Sequence, residues 1–383
     1  MRDFIAERFR TPGGGLSLNT EALQKYKDDI IDLSIGDTDI ITDERIIDAA
    51  FADTKRGYTH YGNPKGDPEL VTAIQKQWSE DFGIKVPKEN ILVTASSCLG
   101  MSIVMFSILN PGDEVIVFSP YFAMYKQQIE LAGGVCIEVP CYAAENFDIS
   151  EERLRSALSK KTKAIILNNP SNPTGKAYNR ADLEMISKVA IEADLMLVSD
   201  EIYTTYMYED EFVPVSSLPG MWERTITLNS FSKNFLMTGW RIGSVVASPN
   251  LINVMSRING SLIYTAPSVS QRAGIKALEI REDIRKKYIE IYKDRVLYSA
   301  ERIEKIPYLS LVRPGGTFYL FPGVEKTGLT SAQFCNELLE RAHILVTTGS
   351  AFGEVGEGFF RIACTVSKDK LKEAFDRMDG LKF

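Results

Sequence analysis

Histidine is almost missing from this chain: His60 and His343 are the only two in 383 residues. So small a supply nearly excludes a histidine-ligated metal site and disfavours a Ser-His-Asp hydrolase. His60 lies in the turn-rich run YTHYGNPKG and reads as a surface or packing residue rather than a base. Cysteine is sparse as well. Cys98, Cys136, Cys141, Cys335 and Cys364 are scattered with no C-x-x-C pair, which reads as reduced thiols in a cytoplasmic protein. A membrane span needs about 18 uncharged apolar residues; the nearest run, CLGMSIVMFSIL (98–109), is shorter and holds two serines. Positive charge is in deficit, 44 Lys and Arg against 51 Asp and Glu, where a nucleic-acid footprint wants a basic face. The opening MRDFIAERFR mixes charges and has no apolar core of a secretory signal.

What is present is an ordinary globular balance, 44% hydrophobic and 25% charged, in a chain long enough for one large domain and a smaller one. A short apolar run followed at once by a polar cluster recurs five times: ILVTASS (91–97), EVIVFSPYF (114–122), AIILNNPSNPTG (164–175), LMLVSDEIY (195–203) and TITLNSFSK (225–233). Apolar runs without polar alternation predict strands buried on both faces, as in a parallel sheet covered by helices. Between them NRADLEMISKVAIEA (179–193) has apolar residues at 183, 186, 189 and 190, which predicts a helix capped by Asn179. The segments 311–324 and 344–367 read as shorter strands with glycine-rich turns, and 369–378 as a helix. A single long amphipathic helix is predicted near 272–306. The fold class is therefore α/β: a large domain over 45–275 with a mostly parallel sheet covered by helices, and a smaller α+β domain from both chain ends, 1–44 and 276–383.

Ligands of open α/β sheets sit outside the carboxyl ends of the strands. That rim collects Ser96, Ser97, Phe122, Asn172, Asp200, Tyr203, Ser230 and Lys233. Strand ends are polar in any protein, but a lysine, a carboxylate, a phenol and an amide together are a particular mixture. In Ser230-Phe231-Ser232-Lys233, with Arg241 eight residues on, a lysine able to form a Schiff base stands among groups able to hold a phosphate. Ser96 and Ser97 run from a strand into an apolar helix, where backbone N–H groups favour an anion. Asp200 ends a buried run and wants a cationic partner, or it caps a helix.

The run S-x-S-K-x-x-x-M-x-G-x-R-x-G (230–243) resembles the cofactor-lysine signature of fold type I pyridoxal-phosphate aminotransferases of class I/II. NPSNPTG (169–175), DEIY (200–203), LSIGDTD (33–39) and the arginine of GFFRIACTVS (358–367) follow that family's pattern in order, from Gly36 to Arg361. The resemblance implies pyridoxal 5′-phosphate bound to Lys233, its ring nitrogen on Asp200, its ring oxygen on Tyr203 and Asn172, and Phe122 stacked on the ring unless Tyr121 takes that place. It implies phosphate held by Ser96, Ser97, Ser230 and Arg241, and a substrate carboxylate held by Arg361, Asn172 and the backbone of Gly36. Tyr58, in GYTHYGNPKGDPEL, matches a tyrosine that reaches the neighbouring subunit's phosphate, so a homodimer with shared sites is implied. The chain departs from the pattern at Ala95, where glycine is usual, at Cys98-Leu99-Gly100, and at Thr38 in place of proline. The activity implied is ping-pong transfer of an amino group from an L-amino acid to a 2-oxo acid. The alternative is β-elimination of a sulfur amino acid on the same cofactor. A ligand-sensing regulator on this fold is disfavoured by the net negative charge and by intact Lys233, Asp200 and Arg361.

Overall fold

The computed structural model describes residues 4–6, 24–209 and 211–383. Residues 1–3 and 7–23 of the N-terminal segment assigned above to the smaller domain, and with them most of MRDFIAERFR, lie outside the described residues. The strands are β1 (Ile31–Asp32), β2 (Ile91–Thr94), β3 (Glu114–Ser119), β4 (Val135–Pro140), β5 (Thr162–Asn168), β6 (Met196–Asp200), β7 (Thr225–Ser230), β8 (Gly243–Val246), β9 (Tyr319–Leu320), β10 (Ile344–Leu345), β11 (Thr347–Thr348) and β12 (Phe360–Ala363).

Seven of them form one sheet in the order β2-β8-β7-β6-β5-β3-β4. Only β8 runs against its neighbours β2 and β7; the other pairings are parallel. The five apolar runs read from the sequence are β2, β3, β5, β6 and β7. Successive residues of one strand feed opposite faces, as a period of two requires. Ile165 and Leu167 of β5 join Leu183, Ile186, Val189 and Ala190 of the helix Arg180–Glu192. Ala164 and Ile166 join Met101, Ile103 and Val104 of the helix Ser97–Ile108 on the other side. The predicted cap is present: the Asn179 side chain accepts from the N–H of Ala181 and Asp182, and Asp182 accepts in return from Asn179 N–H.

β1, near the start of the described chain, pairs in parallel with β10, while β11, β12 and β9 form a small antiparallel sheet. The helices Ser331–Ala342 and Lys368–Asp379 pack beside these strands. The predicted single helix over 272–306 is a correction. Helix Ser268–Glu279 ends at Ile280, and Arg281–Ile284 and a π-helical turn, Arg285–Ile289, precede Glu290–Ile303. The break falls at Ile280, and just past it Arg281 and Arg285 both grip Asp81 of the helix Pro68–Phe82, at 3.0 and 2.8 Å. Among the described residues no helix is long and apolar enough to cross a membrane.

Candidate active site

The carboxyl ends of β5, β6 and β7 open into a cavity of about 670 Å³. Parallel pairing sets Asn168 beside Asp200 and Asp200 beside Leu228, two residues before Ser230, so the sheet itself gathers the amide, the acid and the hydroxyl. Ten of the twelve residues singled out in the sequence line this one space: Gly36, Ser97, Phe122, Asn172, Asp200, Tyr203, Ser230, Lys233, Arg241 and Arg361.

Asp200 is buried at the end of β6. Its Oδ2 accepts from Tyr125 Oη at 2.5 Å, and its Oδ1 has no protein partner. Burial pushes this carboxyl up to about 6, against the opposing pull of the tyrosine hydrogen bond. Lys233 lies in the one-turn helix Phe231–Asn234, whose first turn is fixed by Ser230 Oγ accepting from Ser232 N–H. Its Nζ donates to the Gly36 carbonyl. Burial is the main influence on the amine and holds its pKa below the usual lysine value. The Ser230 hydroxyl keeps its own proton free to donate.

Arg361 of β12 is 2% exposed and has no acidic partner among the described residues. It donates to Asn172 Oδ1 at 3.0 Å and to the Ser34 carbonyl at 2.6 Å, lies between the Tyr319 and Phe352 rings, and leaves Nε unsatisfied. A buried guanidinium with a spare donor and no counter-charge is arranged to receive a carboxylate. Gly36 is demanded by close approach: a Cβ there would lie 1.7 Å from Tyr319 Oη. The same holds for Gly243, whose Cβ would come within 2.6 Å of the Ser97 nitrogen at the rim of the cavity.

These residues fit pyridoxal phosphate on their own chemistry. The free oxygen of Asp200 suits a ring N–H, the buried amine suits an aldehyde, and Arg241 with Ser97 and Ser230 suits a phosphate.

The family described as "Aminotransferase class I and II" matches residues 28–378. The chain belongs to that family. It is 37% identical to the aspartate aminotransferase of Pyrococcus abyssi over 92% of this chain and 91% of that protein. It is also 37% identical to aromatic-amino-acid aminotransferase 2 of Thermococcus litoralis, over 91% of each. The solved structure of Thermus thermophilus aspartate aminotransferase with maleate superposes with a TM-score of 0.93 at 32% identity, covering 98% of this chain and 99% of that one. The chain is an aminotransferase of fold type I, and the β-eliminating alternative is not favoured by these relatives.

Two of the twelve residues do not line the aminotransferase's cavity. Ser96 is buried with φ of 89°, its Oγ accepting from Leu99 N–H as a helix cap. The positive φ that favours glycine thus falls at Ser96 rather than at Ala95. Tyr58 is 39% exposed and lies over Arg272, 4.1 Å from its guanidinium, outside its own chain's cavity. Of the two candidate stacking rings, Phe122 lines the cavity, while Tyr121 turns away to donate to Glu138 at 2.8 Å.

Three cavity residues were not foreseen. Tyr125 anchors Asp200; Tyr319 Oη stands 3.3 Å from Tyr203 Oη; Asn168 accepts from Asn172 N–H at 2.8 Å. Tyr125 follows Phe122 at helical spacing, a signal available in SPYFAMY.

Glu201 is fully buried beside Asp200, with Oε1 accepting from Ser199 Oγ at 2.8 Å and Oε2 unpaired. Burial, partly offset by the serine hydrogen bond, pushes it up to about 8. The fold thus favours its protonated form. The contribution is complete below the ordinary value of 4.5 and is lost as pH rises through about 8. Glu201→Gln mimics that form. Its unfolding free energy relative to the parent is expected to rise by more than about 2 kcal/mol between pH 5 and 9 in denaturant titrations.

Proposed function

We propose that the chain is a pyridoxal-phosphate-dependent transaminase that carries an amino group from an L-amino acid to a 2-oxo acid in two half-reactions, with Lys233 as its central residue. The observation that carries this is one buried amine, kept toward its neutral form, in the same cavity as a buried carboxyl with a free oxygen and a buried guanidinium with no acid. When bound, pyridoxal phosphate supplies an aldehyde for the amino group and a ring that draws electrons from the substrate's Cα.

The protein's part follows from its own groups. Lys233 would hold the cofactor covalently, and its amine, once free, would move the proton at Cα. Asp200 would keep a positive charge on the ring nitrogen. Tyr203, Asn172 and Phe122 would hold the ring. Ser97, Ser230 and Arg241 would hold the phosphate, with Ser96 fixing the helix start that presents Ser97. Arg361 binds the α-carboxylate as a bidentate fork beside the Gly36 backbone and so fixes the direction of the Cα–H bond.

Tyr58 completes the phosphate cradle of a second copy in a homodimer. Supporting this, Tyr58 is half-exposed, and Tyr61 and Tyr264 form an exposed aromatic pair with centroids 5.0 Å apart, the kind of apolar surface a second copy covers. The cytoplasm is the compartment proposed, in keeping with five unpaired thiols.

Mixing the loaded enzyme with an amino acid alone tests the reading. One equivalent of 2-oxo acid per site and no ammonia is expected; stoichiometric ammonia would overturn it in favour of elimination. Arg361→Lys keeps the charge but loses the fork. It is expected to lower kcat/KM by about 10²-fold, mostly through KM, while the absorbance of bound cofactor is unchanged.

A further inference from the structure

Tyr58 is held more firmly than a half-exposed turn residue requires. It lies between the helices Glu44–Lys55 and Pro68–Phe82, and both its backbone and its ring are gripped. Its N–H donates to the Asp53 carbonyl at 3.2 Å, and its carbonyl accepts from Ser268 Oγ at 3.0 Å. Its ring centroid lies 4.1 Å from the Arg272 guanidinium. That guanidinium is itself fixed. Arg272 is 6% exposed, and its Nε, Nη1 and Nη2 each donate to a different carboxylate: Asp53 at 2.5 Å, Asp67 at 3.2 Å and Glu69 at 3.0 Å. Asp53 belongs to the first of the two helices, Asp67 caps the second, and Glu69 stands in its first turn, while Arg272 comes from Ser268–Glu279. With three acids along its edge the guanidinium offers only its faces, and the Tyr58 ring lies over one of them.

We infer that Arg272 is a positioning residue, which fixes the Tyr58 ring so that its phenol is in place for the phosphate of a second copy before that phosphate arrives. The inference rests on the homodimer reading above and deepens it. Tying three helices together needs only a cation, which a lysine supplies. Seating an aromatic ring needs a plane, and a plane anchored at its edge by three acids cannot turn. A phenol ordered in advance spares binding the loss of its freedom, so affinity for the phosphate depends on the seat as well as on the hydroxyl. Because Tyr58 lies outside its own chain's cavity, the effect must appear in the site of the other copy.

The test titrates cofactor-free protein with pyridoxal phosphate and with pyridoxal, which carries the same aldehyde and no phosphate; bound aldehyde is fixed with borohydride and counted. Arg272→Lys keeps a cation among the acids and removes the plane. It is expected to weaken pyridoxal phosphate about 10-fold and pyridoxal less than about 2-fold. In a Tyr58→Phe background, where the hydroxyl is gone, the same substitution is expected to weaken pyridoxal phosphate less than about 2-fold. Equal weakening of both aldehydes, additive losses, or no loss would overturn the inference and leave Arg272 a strut between helices. Should Arg272→Lys fail to fold, the parent decides. The fluorine signal of 3-fluorotyrosine at position 58, assigned by its loss in Tyr58→Phe, is expected to have the width of an immobilised ring before cofactor is added. The narrow line of a freely turning ring would overturn the inference.

Hybrid dimers show where the effect falls. An Arg272→Lys chain paired with a Lys233→Ala chain has one lysine-bearing site, and that site takes its Tyr58 from the chain whose Arg272 is intact. Parental affinity for pyridoxal phosphate is expected there; the weakened value would place the effect within Arg272's own chain and overturn the inference. A parent that binds pyridoxal as tightly as pyridoxal phosphate, or that sediments as a monomer, would bring down the phosphate or the homodimer reading and this inference with it. Transamination is judged separately, by the 2-oxo acid released.

Discussion

Lys233→Ala is expected to lower kcat by about 10⁴-fold and to abolish the link between cofactor and chain that borohydride reduction makes permanent. The expectation follows from how few groups in the cavity could take its place. Arg241 and Arg361 are already engaged as donors, the first to the Thr238 carbonyl and the second to Asn172 Oδ1 and the Ser34 carbonyl. Burial raises the Tyr203 phenol well above its usual pKa, and Asp200 is engaged by Tyr125. Lys233 is thus the amine among the cavity's described residues that burial holds toward the neutral, nucleophilic form.

The same burial supplies a readout without turnover. A lysine whose pKa is lowered in the fold contributes stability above its ordinary value of 10.5, and that stability is lost as pH falls. At neutral pH the cofactor-free protein therefore carries a penalty for this side chain. Lys233→Met, which keeps the aliphatic length, is expected to raise the unfolding midpoint of cofactor-free protein near pH 7 and to narrow that gain toward pH 10. A variant that lost activity yet showed no pH trend would indicate an exposed lysine, and the opposite trend one paired with an acid; in either case the assignment of its role would fail. Peptide mapping after borohydride reduction gives an independent check, since the label must fall on residues 230–241 in the parent protein.

What could be read without coordinates was what local chemistry dictates. β3, β5 and β6 announce themselves because strands covered on both faces must be apolar at nearly every position. β4 and β8 do not. β4 is an edge strand with an exposed start at Val135 and a glutamate within it, and β8 is four residues that open on Gly243 and Ser244. Lys233, Asp200 and Asn172 were legible because each stands in a short motif at a strand end. Tyr319 was not. It reaches the cavity from the small sheet, 116 residues after Tyr203, and no spacing rule connects them. The break at Ile280 and the π-turn Arg285–Ile289 within 272–306 are not legible, because the run stays helical on both sides of them and its apolar spacing continues. Tyr58 carries a motif, but its proposed task lies in another copy of the chain, so one chain shows it only against Arg272.

Asp200→Asn is expected to lower kcat by about 10³-fold while leaving the folded structure intact. An amide can still accept from Tyr125, but it cannot hold a positive charge on the ring nitrogen, and without that charge the ring withdraws electrons poorly. The stability consequences run in opposite directions with and without cofactor. In the cofactor-free protein the Asp200 pKa is raised, so its favourable contribution is complete below about 3.8 and is lost as pH rises through about 6. Between pH 4 and 7 the parent should therefore lose roughly 3 kcal/mol relative to the asparagine variant, the free-energy equivalent of that rise in pKa. If Asp200 holds the ring nitrogen, loading the cofactor would bring a cation to the free Oδ1, and the buried charge would become half of an ion pair. The parent should then gain more thermal stability on loading than the variant does, measured as the shift in midpoint at saturating cofactor and pH 7.5. Equal shifts in the two proteins would mean that Asp200 and the ring nitrogen do not meet. A large loss of kcat with equal shifts would place the role of Asp200 in orienting Tyr125 instead.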